Sequence, residues 1–460
     1  MTWQETNQKG VFSRPIGENE TYIKLLGDAG LPLKREHWAI NSAAAVVPTG
    51  SLVSVDLASH FRRAWAHLRF QHPSLAAEVA PDNKNLIYTV PADGAALDTW
   101  VSQTFNVATD ANSSADVIPT FQPGPYAKLV YIPQSGELLG HTSHWRSDGL
   151  GVFLLLDALL ALASRPSLPD PASLAWGIEV VRLAPAVEDA AAMPKESTPE
   201  LKEHGAALVG TWAHAIGAIG IPYLGDADTL PAGTRSVTLT FSPATTEKIT
   251  AACEARSVSV SAAVNASVAG ANYALADAAA RHKHYASTIH ATLRPYLPEP
   301  YSTPAFAAGL YTTGWMTRVE SGTLWEERLQ IYEAEYQKKI TRDFVNSHRE
   351  YAIQIIELLS NMPKGGGDQP ASDVDISNID NVDKMIRQSY GTPEAGLEVK
   401  AVSIGVEILS RQAVTFMWIF RDQLNLSVVY NESFHSADQM GQVLGTVRTQ
   451  LLEELGVQDS

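Results

Sequence analysis

The sequence predicts an α/β chain, or a closely related α+β one, arranged in lobes, and three observations point there. Helix-like and strand-like segments interleave through both halves of the chain, as they do where sheets are covered by helices. The 460 residues exceed what one hydrophobic core organises, so two or three domains, or one large two-lobed unit, are expected. Between 184 and 233 proline, alanine and acidic residues replace the periodic apolar segments, which is the texture of a connection. The expected division is an N-terminal lobe over 1–183, a linker over 184–235 and a C-terminal lobe over 236–460.

The elements follow in order. In 53–77 the apolar residues Leu57, Phe61, Trp65 and Leu68 recur at spacings of three and four, which gives one buried helical face. His72-Pro73 ends that helix, because proline disfavours helical geometry in the residue before it. The runs 85–90 and 127–132 are rich in Val, Ile, Leu and Tyr and bounded by Pro, Gly or Asp, so both read as strands. Segment 150–163 is apolar on nearly every side, the mark of a helix buried against a sheet. After the connection, 236–241 alternates like a strand and Ser242 opens a helix. Segment 258–280 is an alanine-rich helix, and 324–360 is one long or two consecutive surface helices. The glycines at 365–367 read as an exposed loop. A final strand over 424–430 precedes a helix over 436–455.

Composition excludes several functions. Apolar residues make up 45% and charged residues 18% of the chain, so a large core forms and global disorder does not. The net charge of −16 argues against nucleic acid as the partner, since phosphate binding needs clustered Lys and Arg. Cys253 is the only cysteine, which rules out an intramolecular disulfide and a cysteine-rich zinc site. The N-terminus lacks the basic start and apolar run of a signal peptide. No stretch of about 18 consecutive apolar residues occurs, so no membrane span is expected. A cytoplasmic, monomeric protein is the expectation.

The chemistry concentrates in His144-Trp145-Arg146-Ser147-Asp148-Gly149, which joins a strand-like run to the apolar segment. A side chain at such a junction is held rigidly while facing a cleft. Imidazole, with a reference pKa of about 6.5, suits proton removal at neutral pH. Asp148 need not touch His144; pairing with a distant arginine would fix the loop and so the imidazole. Gly149 allows close packing or a positive φ where the loop enters the helix. By itself the hexapeptide admits a second reading, with Asp148 as a helix N-cap and His144 as a packed residue. His141, on the strand, reads as structural. A zinc site through His141 and His144 is disfavoured, because no third ligand stands at a recognisable spacing.

The hexapeptide resembles the second histidine, aspartate and glycine of the His-His-x-x-x-Asp-Gly motif. That motif belongs to the superfamily of peptide-synthetase condensation domains, BAHD acyltransferases and fungal trichothecene O-acetyltransferases. Further segments agree in order: Arg63 to Pro73 around Trp65 and His72, then Leu293-Arg294-Pro295, Ser377-Asn378, and Leu426 to Asn431. The similarity spans nearly the whole chain and is greatest to the trichothecene 15-O-acetyltransferase type. Ser143 stands where condensation domains usually carry the first histidine, which favours a free acyl-CoA enzyme. The Asp-Phe-Gly-Trp-Gly motif of plant BAHD enzymes is absent.

The resemblance implies two chloramphenicol-acetyltransferase-like lobes with open mixed sheets, an inter-lobe tunnel and His144 at its middle. It makes His144 the general base and Arg294 the partner of Asp148 in a structural ion pair. Ser377 and Asn378 become candidates for holding the tetrahedral oxyanion, with a turn role as the alternative. Trp145 and Arg146 shape the acceptor pocket or simply pack. The implied activity is acetyl transfer from acetyl-CoA, or another acyl-CoA, to a hydroxyl of a natural product. Acyl-CoA is then a co-substrate, with no permanently bound cofactor and no metal, and the other partner is a small acceptor alcohol. The alternatives are an acyl donor carried on a carrier protein, and a fold relative repurposed for cyclisation or metabolite binding.

Overall fold

Strands Glu137–Thr142 and Lys128–Ile132 lie inside a six-stranded sheet. Its order is Ser389–Thr392, Ala395–Val406, Ile40–Gly50, Glu137–Thr142, Lys128–Ile132, Phe105–Val107. The last pair is parallel and the others antiparallel, so the sheet is mixed. The computed structural model describes residues 2–361 and 372–459, which leaves the glycine run at 365–367 outside the described residues. Helices Leu57–Gln71 and Gly149–Ala163 share one core with this sheet. The first starts at Asp56, whose carboxylate accepts from Ala58 N and Ser59 N, and ends at His72 as the proline predicts. Its face of Phe61, Trp65 and Leu68 is buried, and Trp65 stacks on Trp100 at 5.6 Å. Each such fully buried large side chain stabilises by about 1.5–3 kcal/mol. Asn85–Thr89 is also a strand, but in a separate sheet with Val11–Pro15.

The second lobe carries a four-stranded sheet in the order Val374–Asn381, Ala413–Phe420, Gln423–Asn431, Thr234–Thr240. Helices Pro243–Ala255, Val260–Leu275 and Ala437–Leu455 bury their apolar residues in the core of that lobe. Ser242, Ser259 and Ser436 cap them, each side chain accepting from the backbone three residues on. One such cap contributes about 0.5–2 kcal/mol. Tyr285–Thr292 and Thr312–Val319 form a separate antiparallel pair.

Three features go beyond what periodicity predicts. Ala395–Val406, late in the sequence, pairs with Ile40–Gly50 along its length, with Ile404 opposite Ser42 and Val406 opposite Ile40. The connecting stretch holds a helix, Pro199–Thr211. It lies against Arg342–Asn361 so closely that a side chain on Gly205 would start 2.9 Å from Tyr351 N. Segment 324–360 is two helices, Trp325–Tyr336 and Arg342–Asn361, and neither is wholly at the surface, since Leu329, Tyr332, Val345 and Tyr351 are buried.

Candidate active site

The hexapeptide occupies the junction its flanks predict. Glu137–Thr142 is an inner strand, bonded on both sides. From it the chain passes through Ser143 into a single turn, His144–Arg146, and through Asp148 into Gly149–Ala163. The helix is anchored by Val152, Phe153, Leu156, Leu159 and Leu160, all buried. Sheet and helix are both core elements, so the turn between them is held at each end while His144 stays half-buried.

Asp148 fulfils both readings of the motif. One carboxylate oxygen, Oδ1, accepts from Gly151 N at 2.7 Å and so caps the helix. The other, Oδ2, accepts from Tyr311 N at 2.8 Å and from Arg294 Nη2 at 3.1 Å. Arg294 in turn donates to the carbonyls of Phe306 (3.1 Å), Ala307 (3.2 Å) and Gly309 (2.9 Å). Its guanidinium lies 4.9 Å from the Tyr311 ring centroid. The two side chains are 3% and 4% exposed. A pair this dry survives because both terminal nitrogens of Arg294 and both oxygens of Asp148 are hydrogen-bonded, and loss of one partner costs about 3–5 kcal/mol. This contact joins the two halves of the chain.

Asp148 does not hydrogen-bond to His144. The Nδ1 of His144 is buried and has no hydrogen-bond partner among the described residues. Burial lowers the imidazole pKa from its ordinary value, against the opposing pull of its own and the Ser147 carbonyls and of Asp148. The ring is therefore neutral, the form that accepts a proton, at neutral pH. Trp38 lies beside it, with ring centroids 6.4 Å apart. Trp38 has a φ of 65°, a strained conformation for a bulky residue, and such strain concentrates at functional sites. Ser143 donates to Glu36 at 2.9 Å, and burial raises the Glu36 pKa. Nothing in the sequence spacing marks Glu36 or Trp38.

The other expected residues divide. Gly149 has no positive φ; it is a site of close packing, where a side chain would start 3.1 Å from Ile379 Cδ1. The stricter requirement is at Gly151, which sequence reasoning passed over: a Cβ there would sit 2.4 Å from Ala307 O and 2.8 Å from Arg294 Nη2. Ile379 shows that strand Val374–Asn381 of the second lobe lies over the start of the motif helix. On it Ser377 is half-buried. The Asn378 side-chain amide donates to Ser261 Oγ, and its oxygen accepts from Asp380 N at 2.9 Å, the turn arrangement. Trp145 packs with Tyr22, Ile23, Leu310 and Tyr351. Arg146 stacks 4.5 Å from the Trp145 ring and donates to the carbonyls of Ser74, Ala77 and Pro125. His141 Nδ1 bonds Asn41 Oδ1 at 2.9 Å and its ring stacks on Phe121.

Among the described residues no group of three His, Cys, Asp or Glu is placed to hold a metal ion, and no helix is long and apolar enough to cross a membrane. No protein-family model matches the chain. The acetyltransferase pigO of Monascus ruber is 40% identical over 462 residues, covering 100% of this chain and 99% of its own. The O-acetyltransferase pigM of the same organism is 29% identical over 466 residues, covering 100% and 88%. Among solved structures, the TRI3 trichothecene 15-O-acetyltransferase of Fusarium sporotrichioides superposes with a TM-score of 0.82 at 16% identity, over 98% of this chain and 97% of that one. The fold of the present chain is the one that this acetyltransferase and peptide-synthetase condensation domains share, and with 40% identity to pigO over its whole length the chain belongs to the fungal acetyltransferases.

Proposed function

We propose that the protein moves an acetyl group from acetyl-CoA to a hydroxyl of a polycyclic natural product, with His144 as general base. The observation that carries the reading is the half-buried, neutral imidazole of His144, held where residues of both halves of the chain meet while Asp148 is fully engaged by Arg294, Tyr311 and Gly151. Held so, His144 takes the proton of the acceptor hydroxyl as its oxygen attacks the thioester carbon. The tetrahedral intermediate then collapses, the C–S bond breaks, and the CoA thiolate leaves and recovers the proton from His144. Both reactants meet in one ternary complex, entering a tunnel between the lobes from opposite faces. Orientation supplies a large share of the acceleration.

The test incubates the enzyme with acetyl-CoA and a panel of polycyclic alcohols and follows CoA release. His144→Ala is expected to lose about 10²–10⁴-fold in kcat. Equal turnover by wild type and variant would remove His144 from the mechanism. Turnover only with acyl groups on a carrier protein, and none with acetyl-CoA, would replace the donor.

A further inference from the structure

The paired strands Tyr285–Thr292 and Thr312–Val319 bring a second imidazole to the same place. From Tyr285 to Ile289 every residue is buried, whereas His290 is exposed. Opposite it stands Gly314, and the His290 ring edge lies 3.7 Å from where a side chain at Gly314 would begin. Just past this end of the pair, Arg294 and Tyr311 both bond to Asp148. His144 precedes Asp148 by four residues, and His290 precedes Arg294 by four. The ion pair therefore ties the segment that carries one imidazole to the segment that carries the other.

His290 has accessible surface, yet burial lowers its pKa to about 4, and a charge on His144 lowers it further. The accessible ring thus stands at the end of the strand pair that holds Asp148, near enough to His144 to feel its charge. Among the described residues nothing hydrogen-bonds to the His290 ring. Asn378, by contrast, has its amide committed to Ser261.

We propose that His290 is a second catalytic residue, whose ring N–H donates to the acyl carbonyl oxygen as that oxygen becomes the tetrahedral oxyanion. This rests on the transfer reading above. As the acceptor oxygen bonds to the carbonyl carbon and its proton passes to His144, the carbonyl π pair moves onto the oxygen facing His290. When C=O re-forms, the C–S bond breaks and the thiolate recovers the proton from His144, so His290 begins and ends with its own proton. Its depressed pKa keeps the ring neutral, so that it donates a hydrogen bond without competing as the base, a division of labour known for paired groups of different environment.

The test compares wild type, His290→Ala, His290→Gln and His144→Ala. The acyl donor is acetyl-CoA, and the acceptor is the panel alcohol that turns over fastest, or water where none does. His290→Ala is expected to lose about 10²–10³-fold in kcat, with the acetyl-CoA KM within about threefold of wild type and the urea midpoint unchanged. His290→Gln, which keeps an N–H donor, is expected to recover part of the rate. The acid limb of the pH profile stays in place in both variants, because it belongs to His144. Wild-type kcat in His290→Ala, or a raised acceptor KM at unchanged kcat, would overturn the proposal while a dead His144→Ala left the transfer reading standing. A moved acid limb in His290→Ala would overturn it by making His290 the base. Full activity in both alanine variants would overturn the two readings together.

Discussion

At Asp148 one carboxylate caps a helix and grips an arginine from the second half of the chain, and the proposed mechanism gives its charge to rigidity rather than to the proton transfer itself. Asp148→Asn leaves the Arg294 guanidinium buried without its counter-charge and is expected to destabilise the fold by about 3–5 kcal/mol. Urea unfolding measures this, and activity is expected to fall with it. An inactive variant as stable as wild type would instead give Asp148 a direct part in the chemistry. The lowered pKa of His144 sets a second expectation. Transfer needs the neutral ring, so kcat/KM falls as pH drops through that pKa, and the acid limb is expected below the ordinary imidazole value of about 6.5. A pH profile of kcat/KM reads it directly. The junction of His144 and Asp148 and the pairing of Asp148 with Arg294 were legible in the sequence, because the first is one short segment and the second follows from the resemblance. Trp38, Glu36 and His290 were not, because their places depend on how distant strands meet.

The motif helix and the other elements show which local rules decide packing. Gly151 sits in the first turn of Gly149–Ala163, where Ala307 O and Arg294 approach. Gly151→Ala is expected to cost about 1–3 kcal/mol by overpacking and to lower activity by displacing Arg294. Gly441 lies in the helix Ala437–Leu455 with nothing within 4 Å of a new side chain. Gly441→Ala is therefore expected to stabilise by about 0.5–1 kcal/mol through helix propensity alone. Thermal unfolding of the two variants gives the opposite signs. The serine caps and the apolar faces were legible because both are fixed within a few residues. Pro199–Thr211 was not, since few of its own residues are buried and its place comes from the close approach of Gly205 to Tyr351.

Over the whole molecule, the first lobe is completed by the end of the chain. Strands Ser389–Thr392 and Ala395–Val406 extend its sheet, and Phe416, Trp418 and Phe420 join its core. Residues 1–235 alone would expose that edge and that apolar surface, and are expected to show no cooperative unfolding by circular dichroism; co-expression with 236–460 is expected to restore it. Cooperative unfolding of 1–235 alone would contradict this. The interleaving of helices and strands foretold the mixed class of the fold, but strand pairing across some 350 residues leaves no periodic trace in sequence. The assignment of His144 as the base predicts a large difference in the rate of CoA release from acetyl-CoA between wild type and His144→Ala of equal unfolding midpoint. The expected result is a loss of about 10²–10⁴-fold in kcat, and equal rates would contradict it.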